Sequence, residues 1–531
     1  MLDADVVIIG GGLSGMAAAD AARCQGARVH IVDRSSLGLG TNTALANGVF
    51  ASPTERYSIE SYLADTHRIG KEIGQRWMAR RVAQDIGKRI TWLRRLGLNM
   101  VEKNDHYFIR ANENDPFPGA HLARHVSAYI REQAGVTVHQ GIWVDKIISS
   151  EGKVFGVRGF DSQGRPILIQ AGAVVLATGG AGALYRRNDN QKSILGQGYA
   201  LVLDVGLPLL DMEFVQFYPV VVDQKGLPPM MLNSPHPPGS RIVNSVGEDL
   251  AVKYEIHDLN DAIRNRRDWF SALLYKEARD GQIFMDYRDV APHFWGQHPL
   301  VLLKNRRFDF HAQPVAISPA AHFFMGGVRI DQNAKTDVEN LFACGEICWG
   351  MHGACRKGGN ALSECLVFGH LAGTNAALQA LAAPPRKLAN VPPERREKIG
   401  GNNHNFSPKD IRRKIQDLAW RCAGVLRRQE SLREGLVELE RLGPSIGGLP
   451  LLTAGDLRAR HDLWSMNIVL KAILITSHAR QESRGCFLRE DFKDQDDIKW
   501  KKSSRIQLSK RSNSLFVDHI CLDENDKAES E

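Results

Sequence analysis

In the segment HGACRKGGNALSE, residues 352–364, Arg356 and Lys357 stand side by side in a run of glycines and small residues. A guanidinium there has little apolar surface along which to lay its stem, and backbone this bare lets a ligand come close. Its expected partner is an anion. A second anion-binding pattern opens the chain. ADVVIIGGGLSG places Gly10, Gly12 and Gly15 as G-x-G-x-x-G directly after an apolar β-branched run and directly before an alanine-rich one. In that context a pyrophosphate can approach the helix N-terminus, where unpaired N–H groups and the helix dipole favour negative charge. Asp33 ends the next predicted strand, ARVHIVD, at the place where an acid takes a pair of ribose hydroxyls. The four residues together predict an adenine dinucleotide.

The loops favour a flavin over a nicotinamide dinucleotide. SSLGLGTNTALANGVFAS, residues 35–52, is too long for an ordinary connection, and Thr41, Asn42, Thr43, Asn47 and Gly48 supply hydrogen-bonding groups suited to a flavin ring. A second glycine turn, VVLATGGAGALY, follows a buried strand and contains Thr178, Gly179 and Gly180. A third, LFACGEICWG, carries Glu346, and Asn360 and Ser363 are counted with the cofactor-binding positions after it. A protein using two dinucleotides would show a second complete G-x-G-x-x-G after a strand, and none is present. FAD alone is expected.

The elements that must position these groups come from a chain of 531 residues, too long for one core and consistent with two to four domains. Its 43% hydrophobic and 24% charged residues are those of a folded globular protein. A formal charge of +8, from 68 basic and 60 acidic residues, is too mild and too dispersed for a nucleic-acid partner. The basic stretch KWKKSSRIQLSKR, residues 499–511, reads as a solvated tail. Eight scattered cysteines show neither C-x-x-C nor cluster spacing, so no metal site is expected and the thiols read as reduced. The first strand lies close to Met1, leaving no room for a leader, and no apolar run of membrane-spanning length stands out. A cytoplasmic location is expected, with any membrane contact made through another subunit.

ADVVIIGGGLSGMAAADAARCQGARVHIVDRS alternates as a βαβ unit, the first half of a doubly wound sheet, and a strand meander spans residues 136–180. The texture changes between Pro219 and Pro319 and returns at HFFMGGVRID, so one sheet domain is interrupted and resumed. The fold class is α/β: a Rossmann-like FAD-binding domain interrupted by an α+β capping domain and followed by a helical C-terminal domain. The expected bounds are 1–218 and 321–385 for the FAD-binding domain and 219–320 for the capping domain. A proline-rich linker is expected at 386–407, helices at 408–510 and a flexible tail at 511–531.

These segments, with LLDMEFVQFYP, RRDWFSALLYKEARDG and ARQESRGCFLREDFKDQDDIKW in the same order, resemble the succinate dehydrogenase and fumarate reductase flavoprotein family. That family includes aspartate oxidase and the adenylylsulfate reductase flavoprotein subunit. The resemblance implies a hydride moving between flavin N5 and one carbon of a carbon–carbon bond next to a carboxylate, while a cap arginine exchanges a proton on the other carbon. Arg267, in an Arg-Asp pair with Asp268, matches the cap arginine; His322, in H-x-x-M-G-G, and Arg356 match the groups that hold the substrate carboxylate. Electrons would pass to a separate iron–sulfur subunit, to a soluble carrier or to O2, on a protein at most peripheral to the inner face of the cell membrane.

Two departures qualify the likeness. Members with covalent FAD attach it through a histidine in Ser-His-Thr, and this chain has Thr41-Asn42-Thr43, so FAD is expected to be non-covalent. Tyr218, in QFYP, stands where dicarboxylate-handling relatives have histidine, and Leu232, Asn233 and His236 align with groups that grip the second carboxylate. A substrate other than a C4 dicarboxylate is therefore expected, with Tyr218 as a hydrogen-bond donor and His236 as a proton relay. The alternatives are flavin–sulfur chemistry like that of adenylylsulfate reductase, or an electron-transfer subunit with a decayed active site.

Overall fold

The computed structural model describes residues 2–110, 117–382, 407–509, 511–512 and 514–521. The linker expected at 386–407 and the acidic end of the tail lie almost wholly outside these residues. A seven-stranded sheet forms the centre of the cofactor domain. Val136–Gln140, Val29–Asp33, Leu2–Ile9 and Pro166–Leu176 run parallel in that order, and Lys153–Asp161 and Ile142–Ser150 continue antiparallel. Pro166–Leu176 is long enough to serve two neighbours on one side. Residues near its start pair with the meander, and Val174–Leu176 pair in parallel with Leu341–Ala343, from the resumed half of the domain. Strands buried on both faces need continuous apolar runs, and VVII, residues 6–9, and AVVL, residues 173–176, supply them.

Helix Leu13–Cys24 is buried along most of its length because its alanines let helix Asn360–Ala382 approach closely. A Cβ on Gly373 would sit 2.0 Å from the Ala18 carbonyl oxygen, and one on Gly369 would sit 2.5 Å from that of Ser14. Helix Asn360–Ala382 is long and apolar enough by composition to cross a membrane, contrary to the sequence reading. Its buried face packs in the core of this domain instead.

The chain leaves the cofactor domain along Val215–Val222 and returns along Val315–Phe324, which pair antiparallel. With Ile283–Asp286 and Arg241–Val243 they make a four-stranded sheet over a separate apolar core drawn from Tyr218 to Ala320. The ladder between the two connecting strands shifts register between Gln216 and Phe217 and again between Tyr218 and Val221. Such irregularities re-aim side chains, and these flank Tyr218 and His322.

Helices Pro408–Ala423, Gln429–Gly447 and Ala454–Ala479 pack on the cofactor domain. Ser407 with Asp410, and Thr453 with Asp456, form capping boxes that start the first and third. Lys502–Ser509 and Ser514–Cys521 form a β-hairpin, paired to Leu209–Leu210, where helix and flexible tail were expected. Ser503, Ser504 and Ile506 have no exposed surface. The basic residues of 499–511 hid this strand, because its anchors lie almost 300 residues away: Ser503 Oγ–H donates to Asp211 at 2.9 Å and Ser504 Oγ–H to Glu213 at 2.6 Å.

Candidate functional site

One cavity of about 1230 Å³ runs from the first glycine turn to the base of the capping domain. At one end are Gly10, Gly12 and Asp33; at the other are Tyr218, Arg267, His322 and Arg356. Thr41, Asn42, Thr43, Asn47, Thr178, Gly179 and Glu346 line the wall between them. Residues more than 300 positions apart in sequence thus share one cleft, assembled at the seam between two domains.

The glycine turn fits a dinucleotide. Asp33 accepts the Gly11 N–H at 2.5 Å and the Ser35 N–H and O–H at 2.6 and 2.7 Å. It therefore locks the turn, while lone pairs remain for a ribose hydroxyl. Burial raises its pKa. Gly12 caps helix Leu13–Cys24 without a side chain, and a Cβ there would meet nothing closer than 3.6 Å. The space above it is left for a ligand. Thr178 lines the wall, with its Oγ1 buried against Gly198, where a Cβ would lie 1.8 Å from it. Glu346 accepts the Phe324 N–H at 3.1 Å, and burial pushes its carboxyl up to about 7. Asn42 is tied on both sides: its side-chain N–H donates to Asn190 at 2.5 Å, and its oxygen accepts the Gln191 N–H at 2.9 Å.

At the far end, His322 takes its orientation from Asp189, which accepts from Nδ1 at 2.8 Å. That bond leaves Nε2 to accept from Arg356 Nη2 at 2.9 Å. The Arg356 guanidinium lies over the Phe323 ring, 4.6 Å from its centroid, and donates through Nη1 to the Lys357 carbonyl at 3.2 Å. Burial, reinforced by the neighbouring charge of Arg267, lowers Arg356 to about 10. Its Nε has no partner. Arg267 reaches across from the cap and donates through Nη2 to the Arg356 carbonyl at 3.0 Å. The two guanidinium-bearing segments therefore touch. Tyr218 is buried between the cap core and His322, with ring centroids 5.9 Å apart, and burial raises its phenol.

Several expected positions lie elsewhere. His236 does not line the cavity: it sits inside the cap, 4% exposed, with Nδ1 2.9 Å from the Tyr287 hydroxyl. Burial lowers it to about 3, so it does not titrate near neutrality as a relay would. Asn360 accepts from the Tyr62 hydroxyl at 2.9 Å and Ser363 donates to the Ala51 carbonyl at 2.7 Å, so both tie the helix Asn360–Ala382 to its neighbours rather than face the cavity. Gly15, Gly48 and Gly180 also lie off the wall and are needed for packing: a Cβ would come within 2.0 Å of the Gly10 oxygen, 2.6 Å of Pro118 and 2.4 Å of Glu346 respectively. Sequence reasoning missed Asp189, Cys355 and Arg264, which all line the cavity. Only Cys355, beside Arg356, carried a local signal. Lys357 is held in the wall by Asp105 and by the Tyr57 hydroxyl, each at 3.0 Å.

A glycine turn feeding a dinucleotide-sized cavity, closed by an inserted cap, defines an FAD-binding oxidoreductase. The FAD binding domain family matches residues 5–362, and the fumarate reductase flavoprotein C-terminal family matches residues 412–519. The chain belongs to the fumarate reductase and succinate dehydrogenase flavoprotein family, and its cofactor is FAD. Curated relatives include an L-aspartate oxidase of Streptomyces coelicolor, 27% identical over 95% of this chain and 92% of its own length. One chain of the CoM/CoB fumarate reductase of Methanothermobacter marburgensis is 29% identical, over 71% of this chain and 71% of its own length. Among solved structures, a variant of the E. coli quinol fumarate reductase chain FrdA superposes with a TM-score of 0.86 at 23% identity, covering 98% of this chain and 97% of that one.

Proposed function

We propose that the protein exchanges a hydride and a proton across a carbon–carbon bond next to a carboxylate, with Arg267 as the acid/base. The observation that carries this reading is the meeting of Arg267, His322 and Arg356 at one end of the cofactor cavity. FAD, when bound, supplies the hydride chemistry. Gly10, Gly12, Asp33, Thr41, Thr43, Thr178 and Glu346 would hold it, and Asn42 in place of a histidine leaves it non-covalent.

A carboxylate arriving at Arg356 exchanges the guanidinium's bond to His322 for two of its own, a charge-assisted fork. His322, braced by Asp189, presents Nε2 at the same point. The same contacts polarise the adjacent bond and orient it beneath Arg267, so that proton transfer occurs from a fixed donor. Tyr218 offers one neutral hydrogen bond toward the substrate's other end, which suits a substrate other than a C4 dicarboxylate. Electrons are exchanged with a separate iron–sulfur subunit or a soluble carrier, on a cytoplasmic protein that reaches the inner membrane face only through its partners.

The test is turnover of a panel of α,β-unsaturated carboxylates by the dye-reduced protein, followed as flavin reoxidation. Arg267→Ala should lose turnover by at least about 10²-fold while keeping its FAD spectrum. Near-normal turnover in that variant removes the acid/base assignment, and acid precipitation that retains the yellow colour in the pellet removes the non-covalent one.

A further inference from the structure

If Arg267 exchanges a proton with substrate, it must also exchange one with solvent. With His236 sealed inside the cap, that route has to come from the groups touching Arg267. Its Nη2 donates to Cys355 Sγ at 3.4 Å, and the Cys355 thiol donates in turn to Asp268 Oδ2 at 3.0 Å. Gln216 Nε2 also reaches the sulfur, at 3.6 Å, and fixes its position. Arg267, Cys355 and Asp268 all line the cavity. Cys355 is 5% exposed, whereas the Asp268 side chain keeps 21% of its surface open. Arg267, with 13% of its side chain exposed, thus reaches the more open Asp268 carboxylate through the more deeply buried sulfur. Asp268 Oδ1 and Arg267 Nε make no hydrogen bond and stand 3.9 Å apart as an ion pair, so a direct charge contact runs beside the path through sulfur.

Resting on the reaction assigned above, we propose that Cys355 and Asp268 are the proton relay that recharges Arg267. In the reducing direction Arg267 gives a proton from Nη2 to the substrate carbon. The thiol proton moves from Sγ to Nη2, and the sulfur is reprotonated through Asp268 from water. In the oxidising direction the same groups carry the proton outward. No redox change occurs at sulfur, and one solvent proton is consumed or released per turnover. Cys355 and Asp268 act through Arg267 and are positioning residues rather than groups in contact with the reacting carbon.

Proton affinities support the transfer. Burial, with the charge of Asp268 next in weight, pushes the Cys355 thiol up to about 12, toward the guanidinium range; burial would lower Arg267, but the neighbouring Cys355 and Asp268 outweigh it and raise it. The charged and titratable groups around the sulfur are Asp268 and Arg267 from helix Arg267–Asp280, Arg356 from its own loop, and Cys486 from the C-terminal segment. The alternative role for Cys355 is that of a small buried hydrophobe filling space.

Full-length, FAD-loaded Cys355→Ala, Cys355→Ser and Asp268→Asn separate the two roles. With enoates that the wild type reduces, Cys355→Ala should lower kcat about tenfold or more with KM within about twofold, and should change the solvent deuterium isotope effect on kcat. Cys355→Ser, which keeps an O–H in line, should recover most of that loss. Asp268→Asn should shift the pH profile of kcat. In the absence of substrate it should also bring alkylation of Cys355 by iodoacetamide, mapped by mass spectrometry, to lower pH. An unchanged kcat and isotope effect in Cys355→Ala, or a Cys355→Ser variant as impaired as Cys355→Ala, overturns the relay alone. Absence of wild-type turnover on every enoate overturns the reaction itself.

Discussion

Asp462 joins the helical domain to the cofactor turn, and its replacement by asparagine tests how that junction is held. Its two oxygens accept from Arg34 Nη1 and Nη2, both at 3.0 Å, and Gln197 Nε2 donates to Oδ1 at 3.1 Å. Arg34 follows Asp33 and lines the cavity. The pair is mostly buried, with 20% of the arginine and 14% of the aspartate side chain exposed. Burial pushes the Asp462 carboxyl up, but His461 and the Arg34 fork outweigh it and bring it down from 3.8 to about 2. At 1.36 kcal/mol per unit, the ionised form contributes about 2 kcal/mol to folding. Because the folded value is depressed, that contribution is present in full well above pH 3.8 and is lost as pH falls toward 2. Urea denaturation followed by tryptophan fluorescence should therefore place Asp462→Asn about 2 kcal/mol below the wild type at pH 7, with the gap narrowing to roughly half by pH 3. A gap that stays constant between pH 7 and pH 3, or that is absent at pH 7, refutes the assignment of this stability to the ionised pair.

Gly12→Ala should leave the apoprotein as stable as the wild type, since its Cβ meets no atom within 3.4 Å, yet should retain FAD poorly because the methyl occupies the cofactor's space; equal FAD content after gel filtration contradicts the placement of the pyrophosphate. Arg480→Leu should destabilise the chain by about 3–5 kcal/mol, read as a shift in the urea midpoint. It deprives Glu213, bonded at 2.7 Å, of its buried cation, together with the Trp500 and Lys502 carbonyls. A loss below about 1 kcal/mol would mean that the cluster holds less of the C-terminal hairpin than its burial suggests.

Much of this protein was legible in local sequence because its physical causes are local. A glycine turn between a β-branched strand and an alanine helix needs only neighbouring residues, as does the alternation of the first βαβ unit. Arg356 stood out by the bare small residues around it, whereas Arg267 and His322 were marked by the motifs that carry the family resemblance. Burial and partnership were not legible, because they are set by chain segments far apart in sequence. His236 looked like a relay until the cap enclosed it against Tyr287, and the serines of a basic stretch looked like tail until they met Asp211 and Glu213. Asn360 and Ser363 carried the residue types of a cofactor site, yet packing turned them toward Tyr62 and Ala51. Sequence by itself therefore determined which groups could bind a dinucleotide and handle an anion. Only the tertiary structure, by folding a cap back over the sheet it interrupts, decided which of them face one another, since a side chain's proton affinity and reach depend on the neighbours that exclude water from it.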